Sequence, residues 1–300
     1  MRELKSVGEQ RYEGLEEILV VARKVGWGAA DILQSYYHGD PQQDELDVQD
    51  KKDGPVTAAD IAANHYILEQ FQAALGKEDF GYLSEETYKS LSTQAQEVLK
   101  NQPWVWVIDP LDGTRDFIER TGEYAVHLAL VRQGRPILAV VVWPEREKLY
   151  YATKGGGTFV ENRAGVSQPV KVSSRNTIED LSLVASRTHR DERFNQLLAQ
   201  LPLKGKKYVG SVGCKIATIL EQEADIYISL SGKSAPKDWD MAAPELILTE
   251  AGGEFTHFDG TPLKYNQGDV RQWGGLMASN GHCHEALCSQ ASEILAQIDG

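Results

Sequence analysis

The chain is short of three things. Cysteine occurs only three times in 300 residues, at Cys214, Cys283 and Cys288. That number is too small, and odd, for a disulfide framework of the secreted kind. Long apolar runs are missing. The longest, Ile137 to Trp143, falls far below the roughly 20 residues of a membrane-spanning helix. Positive charge is in deficit: 31 Lys and Arg stand against 44 Asp and Glu, a net charge of −13. Such a chain has no overall attraction for a nucleic-acid polymer or an anionic membrane surface. Repeats and low-complexity tracts are also lacking. Met1 to Lys24 carries Glu3, Glu9, Glu13, Glu16 and Glu17, which is unlike a signal peptide. What remains is 41% hydrophobic and 25% charged, neither disordered nor fibrous. Its length suffices for a substantial core. The expectation is an acidic, soluble, cytoplasmic globular protein. No feature of the sequence points to a particular oligomeric state.

The hydrophobic pattern divides the chain into two lobes. Leu15, Ile18, Leu19, Ala22, Val25, Ala29, Ile32, Leu33 and Tyr36 recur at helical spacing, with Gly26 and Gly28 as weak points that offer a kink. Gln42 to Gly54 is polar and acidic and reads as an exposed loop. A second helix starts at Thr57, where Thr57-Ala-Ala-Asp60 fits a capping box. A short strand at Phe80 to Leu83 and a helix from Thr87 to Lys100 follow. Trp104 to Ile108 is an uninterrupted apolar run, as in a strand buried on both faces, and stops at Asp109. Tyr124 to Val131 and Ile137 to Trp143 flank a turn at Gln133-Gly134 and read as a hairpin; Leu149 to Thr153 and Thr158 to Val160 add strands. Residues 1–168 therefore predict an α+β lobe. Residues 169–300 alternate strand and helix, which predicts an α/β lobe. The boundary falls near Ser167 to Ser174, and the two lobes are expected to form one catalytic unit.

Chemistry concentrates at Asp109-Pro-Leu-Asp112-Gly113-Thr114, between a buried strand and a predicted helix. Two carboxylates three residues apart on such a turn converge on one cation. Gly113 admits a close ligand, and the amides of a helix start suit a phosphate. Carboxylate plus phosphate oxygens describe a Mg²⁺ site. The alternative is an Asp-Gly turn with a helix cap. Glu85 and Glu86 after a strand, Asp60 in a first helical turn and Asp240 at another helix start extend the set. Each has a bland reading as a cap or a solvated pair, but all lie at the ends of apolar elements, where sites collect. Two residues separate Asp109 from Asp112, and the motif is mid-chain. That argues against a phospho-aspartate nucleophile and for a metal-activated water. His282, Cys283, His284 and Cys288 have zinc-ligand types, but their place at the start of the last helix reads as an ordinary ending. Trp104, Trp106 and Trp143 read as core.

Gly54-Pro-Val-Thr-Ala-Ala-Asp60, Ser84-Glu-Glu86, Trp106-Val-Ile-Asp-Pro-Leu-Asp-Gly-Thr114 and Trp239-Asp-Met-Ala-Ala-Pro-Glu-Leu-Ile-Leu-Thr-Glu-Ala-Gly-Gly253 occur in that order. Together they resemble the inositol monophosphatase superfamily of Mg²⁺-dependent, lithium-sensitive phosphatases, over nearly the whole chain. The resemblance implies a layered αβαβα sandwich of the inositol monophosphatase and fructose-1,6-bisphosphatase type. It implies two or three Mg²⁺ ions held by Glu85, Asp109, the Leu111 carbonyl, Asp112 and Asp240. Asp60, Thr114 and Glu85 would act on the attacking water, and the Gly113 and Thr114 amides would hold the phosphate. Thr114-Arg115-Asp116-Phe117, Gly122 to Val131, Ser186-Arg187-Thr188-His189 and Ser211-Val-Gly213-Cys-Lys215 are similar to the 3'(2'),5'-bisphosphate nucleotidases. That implies a small phosphorylated substrate, adenosine 3',5'-bisphosphate and its sulfated form. Arg115, Ser186, Arg187, His189, Ser211, Gly213 and Lys215 would then serve substrate binding, a cation facing the phosphate that is not cleaved. Arg115 and Asp116 depart from the subfamily's usual Lys and Glu, which leaves the second anionic group open. The alternatives are an inositol or sugar-phosphate phosphatase and, outside enzymes, a phosphate-ligand sensor.

Overall fold

The computed structural model describes residues 14–39, 49–51, 54–76, 80–187 and 191–300. Helices α1 (Leu15–His38) and α2 (Ala58–Leu75) form an outer layer. The helical spacing of α1 buries Leu15, Ile18, Ala22, Val25, Ala29 and Leu33. Gly26 and Gly28 do not break it. They let it approach its neighbours: a Cβ at Gly26 would stand 3.0 Å from Val140 Cγ1, and one at Gly28 2.0 Å from the Tyr66 hydroxyl. Part of the expected loop at Gln42 to Gly54 is instead paired backbone, strands β1 (Gln49–Lys51) and β2 (Gly54–Val56). No apolar alternation marks this pair in the sequence, and the rest of that stretch lies outside the described residues. The Thr57 capping box forms as expected, with Asp60 Oδ2 accepting the Thr57 amide at 2.8 Å.

The first sheet runs in chain order: β3 (Gly81–Ser84), β4 (Trp104–Asp112), β5 (Ala125–Arg132), β6 (Arg135–Trp143), β7 (Lys148–Thr153), β8 (Gly157–Asn162) and β9 (Ser167–Val170). β3 and β4 are parallel and the remaining pairs antiparallel. The single helix expected at Thr87 to Lys100 is two, α3 (Glu85–Tyr88) and α4 (Thr93–Lys100). Ser92 starts the second by accepting the Ala95 amide. β4 does not stop at Asp109. It continues to Asp112 through an irregularity, because Asp109 faces His127 while Asp112 faces Ala125. Three steps on β4 match two on β5, and Pro110, which has no N–H to give the ladder, sits in the bulge. α5 (Thr114–Ile118) follows at once.

The second sheet has the order β11 (Gly205–Tyr208), β10 (Ser182–Ala185), β12 (Ile226–Leu230), β14 (Gly275–Ser279), β13 (Glu254–His257), the first three parallel. Helices α6 (Glu192–Gln200), α7 (Val212–Leu220), α8 (Asp238–Thr249) and α9 (His284–Asp299) accompany it. Alternation along each strand sorts the layers. Trp106, Ile108, Leu128 and Val140 face α1 and α2, whereas Val105, Val107, Ala129 and Val141 share a core with α7, α8 and the second sheet's Val184 and Tyr227. Leu183, Ile226 and Met277 face α6 and α9. The result is the expected αβαβα sandwich, with α7 and α8 as its middle layer. β9 and β13 are missing from the sequence reading because they are short and largely polar. β9 is a mostly exposed edge strand, and the expected boundary after residue 168 falls inside it. No helix among the described residues is long and apolar enough to cross a membrane.

Candidate active site

The end of β4 and the start of α8 meet in the middle of the sandwich. One oxygen from each of Asp109, Asp112 and Asp240 lies within 4.8 Å of the others. Asp109 is buried, and its Oδ1 accepts the Leu111 amide at 3.0 Å, which closes the bulge on itself. Asp112 reaches across to α7. Its Oδ2 accepts the Ser211 hydroxyl and the Val212 amide, both at 2.5 Å, and the Gly213 amide at 3.1 Å. Ser211 takes a strained φ of 42° to open that helix. Asp240 is the third residue of α8, and its Oδ2 accepts the Lys237 amide at 2.7 Å. The capping reading of Asp240 and the site reading are therefore compatible: one oxygen caps, and the carboxylate still joins the cluster.

Burial and mutual repulsion raise the proton affinity of this group. Glu85, at the start of α3, is pushed up to about 8 by burial and then by Asp240, with Lys237 opposing. Burial, then Glu85, Asp112 and Asp240, hold Asp109 well above the usual carboxylate range. Asp240 rises to about 6 through burial and Asp112. Oxygen donors in excess of local positive charge suit a hard dication that takes few carboxylates, and Mg²⁺ is of that kind. Among the described residues no sulfur or imidazole joins the three-carboxylate group.

Asp60 and Thr114 adjoin it. Burial raises Asp60 to about 6, against the hydrogen bonds from Thr57. The Thr114 hydroxyl lies 3.2 Å from both Asp60 Oδ1 and the Leu111 carbonyl, with one proton to give. Gly113 needs its freedom: φ is 92°, and a Cβ would stand 3.0 Å from the Glu123 carbonyl.

The expected substrate groups are placed unevenly. Arg115 is exposed and Ser186 half-buried. Arg187 Nη1 is paired with Asp116 at 2.9 Å and Glu123 at 2.5 Å. His189 lies outside the described residues. Lys215 departs from the expectation of a cation facing a phosphate. All nine residues of α7 are buried, and Lys215 Nζ donates to the carbonyls of Ser211 at 2.8 Å and Gly210 at 3.3 Å. Both ring nitrogens of His284 are engaged by hydroxyls, Ser279 at 2.8 Å and Thr256 at 2.7 Å.

With this geometry in hand, the chain can be set beside known proteins. Residues 14–296 match the profile of the inositol monophosphatase family. The chain belongs to that family. A relative named 3'(2'),5'-bisphosphate nucleotidase CysQ, from Salmonella typhimurium, is 35% identical over 253 residues, covering 84% of this chain and 93% of the relative. The solved inositol monophosphatase of Anabaena superposes with a TM-score of 0.72 at 26% identity, over 93% of this chain and 97% of that one. CysQ of Bacteroides thetaiotaomicron gives 0.72 at 27% identity, over 88% and 97%.

For this inositol monophosphatase family member, two site neighbours, Glu123 and His127, were not singled out in the sequence. Asp116 and Glu123 hold Arg187. His127 stands on β5 opposite Asp109, wholly buried. Burial lowers its proton affinity, with Asp112 opposing. An imidazole inside the apolar run Ala125 to Val131 was the available signal.

Proposed function

We propose that this protein is a Mg²⁺-dependent phosphomonoesterase that removes the 3'-phosphate of adenosine 3',5'-bisphosphate, and of its sulfated form, to leave AMP or its sulfated counterpart and phosphate. The observation that carries the chemistry is the meeting of a buried Asp109 with half-buried Asp112 and Asp240 from two different lobes. The nucleotidase relatives support the substrate. Glu85, Asp109, the Leu111 carbonyl, Asp112 and Asp240 would hold the metal. Bound there, Mg²⁺ supplies charge that offsets the phosphoryl oxygens and acidity for a water. Asp60, with Thr114, would accept a proton from the attacking water. A carboxylate near 6 is well matched to this at neutral pH. The amides of Gly113 and Thr114 orient the phosphate. Arg115, Ser186, Arg187, His189 and Ser211 would serve the rest of the substrate, as the likeness to the nucleotidases implies. The two lobes act as one catalytic unit, a view supported by the α7 and α8 layer they share. Few cysteines and the acidic composition support a cytoplasmic setting.

A second reading, an inositol or sugar monophosphate as substrate, is favoured by one observation. Two of the cations expected at a second phosphate already have partners in the protein: Arg187 is paired with Asp116 and Glu123, and the buried Lys215 donates to the Ser211 carbonyl. Phosphate release from adenosine 3',5'-bisphosphate, inositol 1-phosphate and a sugar phosphate, with and without Mg²⁺, separates the two. The nucleotide is expected to be preferred, with turnover lost without Mg²⁺ and in Asp109→Asn. Preference for inositol 1-phosphate would refute the nucleotide reading, and turnover unchanged in Asp109→Asn would refute the metal chemistry.

A further inference from the structure

His127 has no role in the chemistry above, yet its surroundings are specific. Its Nε2 lies 3.3 Å from Asp112 Oδ2. That nitrogen is buried and makes no hydrogen bond among the described residues, so Asp112 Oδ2 is the polar atom it stands against. Its Nδ1 lies 3.3 Å from the carbonyl of Trp239, the residue before Asp240. One imidazole thus touches the carboxylate of Asp112 and the backbone that carries Asp240. The room for it comes from α7. A Cβ at Gly213 would stand 2.2 Å from His127 Nε2 and 2.8 Å from Val141 Cγ1. The amide of that same glycine donates to Asp112 Oδ2. Ring, helix start and carboxylate therefore meet at one oxygen atom, and a side chain at position 213 would part them.

We propose that His127 is a positioning residue, which fixes the orientation of the Asp112 carboxylate for divalent-cation binding, and that Gly213 serves to admit it. The inference rests on the reading of Asp109, Asp112 and Asp240 as metal ligands. A carboxylate with one oxygen held from several sides cannot rotate, so the direction of its other oxygen is set before a cation arrives. Groups that orient metal ligands in this way typically contribute about 10–100-fold in metal affinity. Gly213, expected from the sequence to contact substrate, gains here a different purpose.

Mg²⁺ titrated calorimetrically into the whole protein tests this. Four variants are compared: His127→Gln, His127→Asn, His127→Ala and Gly213→Ala. A Gln amide can donate where Nε2 stands, toward Asp112. An Asn amide can donate where Nδ1 stands, toward Trp239. The expected result is Mg²⁺ affinity within about threefold of wild type for Gln, and a loss of about tenfold or more for Asn, Ala and Gly213→Ala. Circular dichroism identifies any variant that does not fold, and the Gln-against-Asn comparison stands if Ala is lost. Equal affinity in all folded variants, or rescue by Asn and not by Gln, would overturn the proposal. Absence of Mg²⁺ uptake by the wild type would overturn the metal reading beneath it, a distinct result.

Discussion

Replacing Asp60 by Asn separates what the residue does for stability from what it does for catalysis. Asp60 is 1% exposed, and burial raises it from 3.8 to about 6. The folded state therefore holds its proton more tightly than the unfolded state does. The stability this supplies is complete below about pH 4 and is lost as pH rises through about 6. At about 1.4 kcal/mol per pH unit, the full effect is about 3 kcal/mol, and roughly half of it falls between pH 5 and 8. Asn does not titrate. Relative to wild type, the Asn variant should gain about 1–2 kcal/mol between those two pH values. Urea unfolding in EDTA, followed by fluorescence of the six tryptophans, reads that gap directly. Phosphatase activity in Mg²⁺ should fall about 10²–10⁴-fold in the same variant, the range for losing a general base. A stability gap that stays constant or narrows from pH 5 to 8 would refute the desolvation argument. Activity retained alongside the widening gap would remove Asp60 from the mechanism and leave its burial intact.

Two further outcomes follow from the same geometry. Protons compete with a cation at Glu85, raised to about 8, and at Asp240, raised to about 6; the rise in melting temperature given by a fixed Mg²⁺ concentration should therefore grow from pH 6 to pH 8.5, and a flat dependence by differential scanning fluorimetry would contradict it. Lys215→Met should leave the Gly210 and Ser211 carbonyls without their buried donor and lower stability by about 2–4 kcal/mol in denaturant titration; unchanged stability with a raised KM for the bisphosphate would return Lys215 to the substrate.

The parts of the fold legible in the sequence are those where burial is written as a period. α1 and the β4, β5 and β6 strands carry their apolar spacing openly, and Thr57 and Asp60 announce a helix start by local hydrogen bonding alone. β9 and β13 are not legible, because a short edge strand is defined by its neighbour's backbone and not by its own side chains. The carboxylates were legible as a set, since each lies at the end of an apolar element. Charge partners were not. Nothing local to Arg187 tells that Asp116, 71 residues earlier, will hold it. Nor does the composition of α7 tell that Lys215 turns back onto its own helix start. His127 was hidden for the same reason: its meaning depends on Gly213, on another layer of the sandwich.

An acidic chain with an anionic substrate looks self-defeating only while the charge is treated as a total. The surplus of acids is −13 for the whole chain, but its consequences depend on depth. Exposed carboxylates are screened by salt and do little at a distance. Asp109, Asp112 and Asp240 stand where the two lobes meet, and their repulsion is borne by the apolar core that packs α7 and α8 between the sheets. Apolar burial is insensitive to a charge placed nearby, so the packing can hold together a group that electrostatics would scatter. That stored repulsion is relieved by a proton or by a dication. A proton removes the negative charge and leaves nothing to attract phosphate. A dication inverts the local field and brings the phosphate in. The same acids therefore exclude an anionic substrate from the bare site and admit it to the loaded one.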